Sequence, residues 1–138
     1  MASSNVNLAC IIDDDNIYVN LIKRIIETKN LCPKLLVFKD GQQSINYFEK
    51  LLSELKLSDI PEIIFLDINM PIMDGWEFLE RFTKIRDKFK KEISLYVVSS
   101  SINPTDIDRA KSSPTVHDYL IKPLQIKELE TIFSKKTA

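Results

Sequence analysis

The chain has 138 residues, 44% hydrophobic and 28% charged, with a formal net charge of −1. That is the balance of one globular domain large enough for its own core, and not the basic footprint of a nucleic-acid binder. No apolar run nears the ~20 residues that span a membrane, MASSNVN at the start is no secretory leader, and Cys10 and Cys32 form neither a CxxC pair nor a metal spacing.

The elements alternate. Leu8 to Ile12 predicts a strand, and Asp13, Asp14 and Asp15 follow at once. Ile17, Leu21 and Ile25 recur every four residues, with Ile22 and Ile26 beside them, so 16–28 reads as a helix. KLLVF (34–38) is a second strand and Gly41 punctuates a turn. Ile45, Phe48, Leu52 and Leu55 mark one face of a second helix.

EIIFL (62–66) is apolar on both faces, as a central parallel strand covered on both sides should be. MPIMDG (70–75) reads as a loop, followed by Phe78, Phe82, Ile85 and Phe89 at helical spacing. SLYVV (94–98) is a fourth strand. Asn103 is placed to cap a short helix from Pro104 to Lys111. SSPTVHD is a loop holding His117, read as an exposed structural residue. DYLI (118–121) is a fifth strand, and Ile126, Leu129, Ile132 and Phe133 mark a last helix. Cys10, inside the first apolar run, reads as a buried small hydrophobe.

Strict strand–helix alternation predicts an α/β fold with a parallel sheet. Ligands of such sheets bind outside the carboxyl ends of the strands. Those ends carry Asp13 and Asp14, then Asp67, then Ser99 to Ser101, then Lys122 and Pro123. Two carboxylates about 4 Å apart repel by roughly 4 kcal/mol at an effective dielectric of 20. Three together therefore call for a cation, and hard oxygens without His or Cys suit Mg²⁺ (or Mn²⁺) better than zinc. Lys122 needs an anion and Ser99 offers a hydroxyl, so the set predicts phosphoryl transfer onto a central carboxylate. Asp15, one step further, reads as a helix start.

The pieces CIIDDD, IIFLDINMPIMDGWEFL, YVVSSS and DYLIKPL, in this order over about residues 6–134, resemble the receiver domain of bacterial two-component response regulators. The resemblance implies a doubly wound, flavodoxin-like three-layer sandwich of five parallel strands, order 2-1-3-4-5. A chemotaxis receiver is a standard example of that order. It implies Asp67 as phosphoacceptor, Asp14 as a direct Mg²⁺ ligand, Asp13 as a ligand mainly through water, and Asn69 as a ligand through its backbone carbonyl. Ser99 matches the switch hydroxyl, Lys122 the phosphoryl-binding lysine and Tyr119 the aromatic that moves with the switch. Asn69 and Ser101 match positions that tune phosphoryl lifetime, and Pro123 matches a cis-proline.

The function so implied is a stand-alone cytoplasmic receiver, a single domain over 1–138 with no output domain. It would be a phosphoacceptor signalling domain and not an enzyme. Its donor would be a sensor histidine kinase or a histidine phosphotransfer protein. Its output would be an unknown downstream protein or onward transfer, from a monomer or a phosphorylation-dependent homodimer. Donor specificity is expected on the first helix, near Ile17, Tyr18, Leu21 and Ile22. No nucleic acid and no membrane is expected as partner. The alternatives are a phosphorylation-independent scaffold of the same fold and a haloacid-dehalogenase-like phosphatase. The latter needs a second acid two residues after the nucleophile, where Asn69 stands.

Overall fold

The computed structural model describes residues 6–56, 59–70 and 73–135. Its elements are β1 (Leu8–Ile12), α1 (Asn16–Thr28), β2 (Lys34–Phe38), α2 (Gly41–Ser53), β3 (Ile63–Leu66), α3 (Gly75–Ile85), β4 (Ser94–Ser99), α4 (Pro104–Lys111), β5 (Val116–Ile121) and α5 (Ile126–Lys135). All strand pairs are parallel, in the order β2-β1-β3-β4-β5. This is the doubly wound three-layer sandwich.

The sheet sorts its side chains by the two-residue period of a strand. Cys10, Ile12, Ile64 and Leu66 face the layer of α2, α3 and α4, where Phe48, Phe78, Phe82 and Phe89 pack together. Ala9, Ile11, Ile63 and Phe65 face α1 and α5, whose Val19, Ile22, Ile26, Leu129, Ile132 and Phe133 cover them. Each such buried aliphatic or aromatic side chain contributes roughly 1.5–3 kcal/mol.

Four helices start on a short polar cap. Asp15 accepts the N–H groups of Ile17 and Tyr18, Asp40 that of Gln43, Asp74 that of Glu77 and Asn103 that of Thr105. Asp15 is thus a helix cap, worth about 1 kcal/mol.

Five local expectations are corrected. Leu55, expected on one face of the second helix, lies beyond the end of α2 at Ser53 and is exposed. Gly41 and Gly75 are the first residues of helices capped by Asp40 and Asp74 and not loop residues, and each stands where a Cβ would meet backbone. The period through Phe89 is broken: α3 ends at Ile85, and a 3₁₀ turn over Arg86–Phe89 still delivers Phe89 to the core beside Phe48. β4 runs to Ser99. His117 lies in β5 and not in a loop. Leu95 pairs with Val116 and Tyr96 with Asp118, so His117 is the extra residue of a bulge, its ring 5.1 Å from that of Tyr96.

Cys10 and Cys32 are both buried free thiols. Among the described residues no helix is long and apolar enough to cross a membrane. Pro71 and Ile72 of the MPIMDG loop, residues 1–5 of the MASSNVN stretch and residues 136–138 lie outside the described residues.

Candidate functional site

The last rungs of the ladder deliver the polar residues to one edge. The Asp13 N–H donates to the Phe38 carbonyl, the Asp67 N–H to the Ile12 carbonyl and the Lys122 N–H to the Ser99 carbonyl, each at 2.9 Å. The chain leaves the sheet at these points, so side chains at the ends of β1, β3 and β5 meet there although they are far apart in sequence, with the Ser99 backbone of β4 on the neighbouring rung.

Asp13, Asp14 and Asp67 each offer a carboxylate oxygen, all within 4.8 Å of one another. Asp13 and Asp67 are buried and Asp14 is exposed. Lys122 Nζ lies 2.8 Å from Asp13 Oδ2 and 3.6 Å from Asp67 Oδ1. One ammonium does not balance three carboxylates. Burial, then the charge of Asp13, then that of Asp14 push Asp67 up to about 6, against the pull of Lys122 and the Asn69 backbone N–H. Burial works against the charge of Lys122, but its hydrogen bond to Asp13 and the charges of Asp13, Asp67 and Asp15 hold its pKa above the usual lysine value. An excess of oxygen ligands, partly buried, without imidazole or thiolate, fits a hard divalent cation.

The hydroxyl of Ser99 is fully buried and accepts the Ser101 N–H at 3.0 Å. Ser101 joins the surrounding parts. Its hydroxyl donates to Asp106 at 2.7 Å and accepts the Asn103 N–H at 3.2 Å. Its carbonyl accepts the Tyr119 hydroxyl at 2.8 Å, and the Tyr119 ring is buried. The Lys122–Pro123 peptide is cis. Asn69 is exposed.

Sequence reasoning missed three supports of the site. The Tyr18 ring lies under Lys122, 4.6 Å from Nζ to the centroid. Gly75 donates its N–H to the Ile68 carbonyl at 2.8 Å, and Gly41 donates its own to the Met73 carbonyl at 3.0 Å. Both glycines of the chain thus hold the segment that follows Asp67. Asp106, in the first turn of α4, holds Ser101. Its signal was an acid three residues after a helix cap, which sequence alone reads as dipole compensation. On α1, Ile17 and Leu21 are exposed but Ile22 is buried against the sheet, so Ile22 is removed from the expected donor-contact residues.

The model of the response regulator receiver domain matches residues 9–134. The probable methanogenesis regulatory protein FilR2 of Methanothrix harundinacea is 29% identical over 87% of this chain and 74% of its own length. A two-component response regulator from Cytophaga hutchinsonii superposes with a TM-score of 0.82 at 30% identity, over 95% of this chain and 96% of that one. The Mn²⁺-bound form of response regulator Rcp1 shares the fold, with a TM-score of 0.68 at 24% identity over 94% and 90% of the two chains. The Synechocystis Rcp1 sequence is 27% identical over 86% of this chain and 78% of its own length.

Proposed function

The chain belongs to the response regulator receiver domain family, a family of signalling domains and not of classical enzymes, and from that premise we propose that Asp67 is its phosphoacceptor. One observation carries this reading. Asp67 is buried between two further carboxylates and a lysine ammonium 3.6 Å away, at the carboxyl edge of the sheet.

In the proposed reaction an Asp67 carboxylate oxygen attacks the phosphorus of a phosphohistidine on a sensor kinase or phosphotransfer protein. The new O–P bond forms an acyl phosphate while the P–N bond breaks, and the leaving imidazole takes up a proton. The carboxylates of Asp13, Asp14 and Asp67, with the backbone carbonyl of Asn69, would hold Mg²⁺ or Mn²⁺. Such an ion supplies positive charge to phosphoryl oxygens. Rcp1, a protein of the same fold, is known in a Mn²⁺-bound form, which supports the assignment.

Lys122 is the donor to one phosphoryl oxygen and the Ser99 hydroxyl to another. When Ser99 turns, its bond from Ser101 breaks, and Ser101 is the residue on which the Tyr119 hydroxyl rests. Phosphorylation thereby biases the region around α4 and β5 between two states, which is a population shift. Asn69, exposed beside Asp67, is the remaining lifetime-tuning position. The Ser101 hydroxyl is held by Asp106 and tunes through the loop.

The donor docks on α1 near Ile17, Tyr18 and Leu21, of which Ile17 and Leu21 are 84% and 51% exposed. The chain works as one cytoplasmic receiver unit with its core at about 6–134, and its output is a partner protein or onward transfer. The test is adduct formation. With Mg²⁺ and acetyl phosphate, intact-mass analysis should show one added phosphoryl group, and Asp67→Asn should show none. An adduct that persists in Asp67→Asn overturns the assignment.

A further inference from the structure

Three groups surround the ammonium of Lys122. Asp13 and Asp67 draw it by charge, at 2.8 and 3.6 Å. The third is the ring face of Tyr18, 4.6 Å from Nζ to the centroid. Tyr18 comes from the first turn of α1, where its backbone N–H is held by the Asp15 cap at 3.1 Å. The ring thus starts from the loop after β1 and reaches the residue that follows β5.

We propose that Tyr18 is a positioning residue for phosphoryl transfer, its ring face holding the Lys122 ammonium beside Asp67. This inference rests on the reading of Asp67 as phosphoacceptor. A lysine side chain has four rotatable bonds and a compact, strongly hydrated charge. Asp13 alone would hold that charge away from the phosphoacceptor, since it has the shorter contact. An aromatic face attracts a cation without claiming a specific hydrogen-bond direction. The ammonium keeps this attraction as it moves from Asp13 toward a phosphoryl oxygen, so the ring stabilises both ends of the movement.

A role for Tyr18 only as a contact for a protein donor makes the opposite prediction for small donors. Beryllofluoride and acetyl phosphate need no docking surface. The proposal is therefore tested with Mg²⁺ and beryllofluoride by calorimetry, on the full chain. Wild type binding the anion and Asp67→Asn failing to bind it establish the underlying reading first. Loss of binding in wild type would sink that reading, independently of Tyr18.

Tyr18→Leu should then bind beryllofluoride about tenfold more weakly and react more slowly with acetyl phosphate, the size expected of a partly desolvated cation–ring contact. Its Mg²⁺ affinity should stay within about twofold, because the contact it loses is with the ammonium and not with a metal-binding carboxylate. Tyr18→Phe keeps the ring and should restore wild-type anion binding. Tyr18→Met, read beside Tyr18→Leu, supplies a second non-aromatic variant should leucine disturb α1. Unchanged beryllofluoride affinity in the non-aromatic variants overturns the proposal. A Phe variant as weak as Leu also overturns it, since that assigns the effect to the Tyr18 hydroxyl and not to the ring face.

Discussion

Lys122 is hydrogen-bonded to Asp13, at 2.8 Å, and not to Asp67, which lies at 3.6 Å. Without a metal the lysine acts as the counter-ion of the carboxylate cluster. Lys122→Ala should therefore destabilise the metal-free protein by about 3 kcal/mol at neutral pH, the range for removing one partner of a buried ion pair. The same change removes a competing positive charge, so saturating Mg²⁺ should raise the unfolding midpoint of Lys122→Ala by more than that of wild type. Urea titrations with and without Mg²⁺ check both, and an equal Mg²⁺ increment in the two proteins would contradict the counter-ion role.

The raised Asp67 carboxyl makes stability depend on pH. Its pKa moves from an ordinary 3.8 to about 6 on folding, first through burial and then through Asp13. The folded state thus binds the proton more tightly than the unfolded one. The contribution is fully present below about pH 4 and is lost as pH rises through about 6, a loss of roughly 2–3 kcal/mol in the metal-free protein. Asp67→Asn should flatten this part of the profile. Mg²⁺ should recover stability above pH 6, where the carboxylates are free to bind it. Denaturation curves from pH 4 to 8, in chelator and in Mg²⁺, read the two slopes.

Gly75 stands against the backbone that carries the site. A Cβ there would meet the Asp67 carbonyl oxygen at 2.4 Å and the Ile68 Cα at 2.7 Å. Neither atom is a side-chain end that can step aside. In an open helix, Gly→Ala is favourable by roughly 1 kcal/mol. Here we expect Gly75→Ala to destabilise by about 2–3 kcal/mol instead, as overpacking does, and to weaken Mg²⁺ binding through displacement of Asp67. Gly41→Ala, whose Cβ would meet the Met73 carbonyl oxygen at 2.7 Å, should act on the same segment. Thermal unfolding decides the sign in each case.

The parts of the molecule that were legible in the sequence are those fixed by period and by strand ends. An unbroken apolar run followed by a 3.6-residue repeat places each strand and helix, and the residue after each run is an edge residue of the sheet. Asp67 and Lys122 follow from that alone. Phase within a doubly apolar helix does not. Leu21 and Ile22 both fit the repeat of α1, and only packing shows that Ile22 is the inward one. The bulge at His117 leaves no mark, because its cause is the pairing of β5 with Tyr96 and not anything in SSPTVHD. Tyr18 was hidden for a similar reason. Its place on α1 reads as a donor contact, and the charge it faces comes from the opposite end of the chain.

The contact between Ser101 and Asp106 makes the last prediction. The serine hydroxyl donates to the carboxylate at 2.7 Å and accepts the Asn103 N–H, while the backbone of the same residue binds Ser99 and Tyr119. A hydrogen bond to a charged, half-buried acceptor contributes roughly 1.5–3 kcal/mol. Either Ser101→Ala or Asp106→Ala removes it completely, so the two changes should be strongly non-additive, with a coupling energy of about 1–2 kcal/mol. Asp106→Asn keeps an acceptor oxygen and should lie between wild type and Asp106→Ala. Because this bond fixes the loop that holds the Ser99 hydroxyl, the loss should also change the lifetime of the phosphorylated state for both variants alike. Equilibrium unfolding of the four-protein cycle gives the coupling, and decay of the acetyl-phosphate adduct gives the lifetime. Additive stabilities, or a lifetime changed by Ser101→Ala alone, would place the serine in direct contact with the phosphoryl group and not in the loop's support.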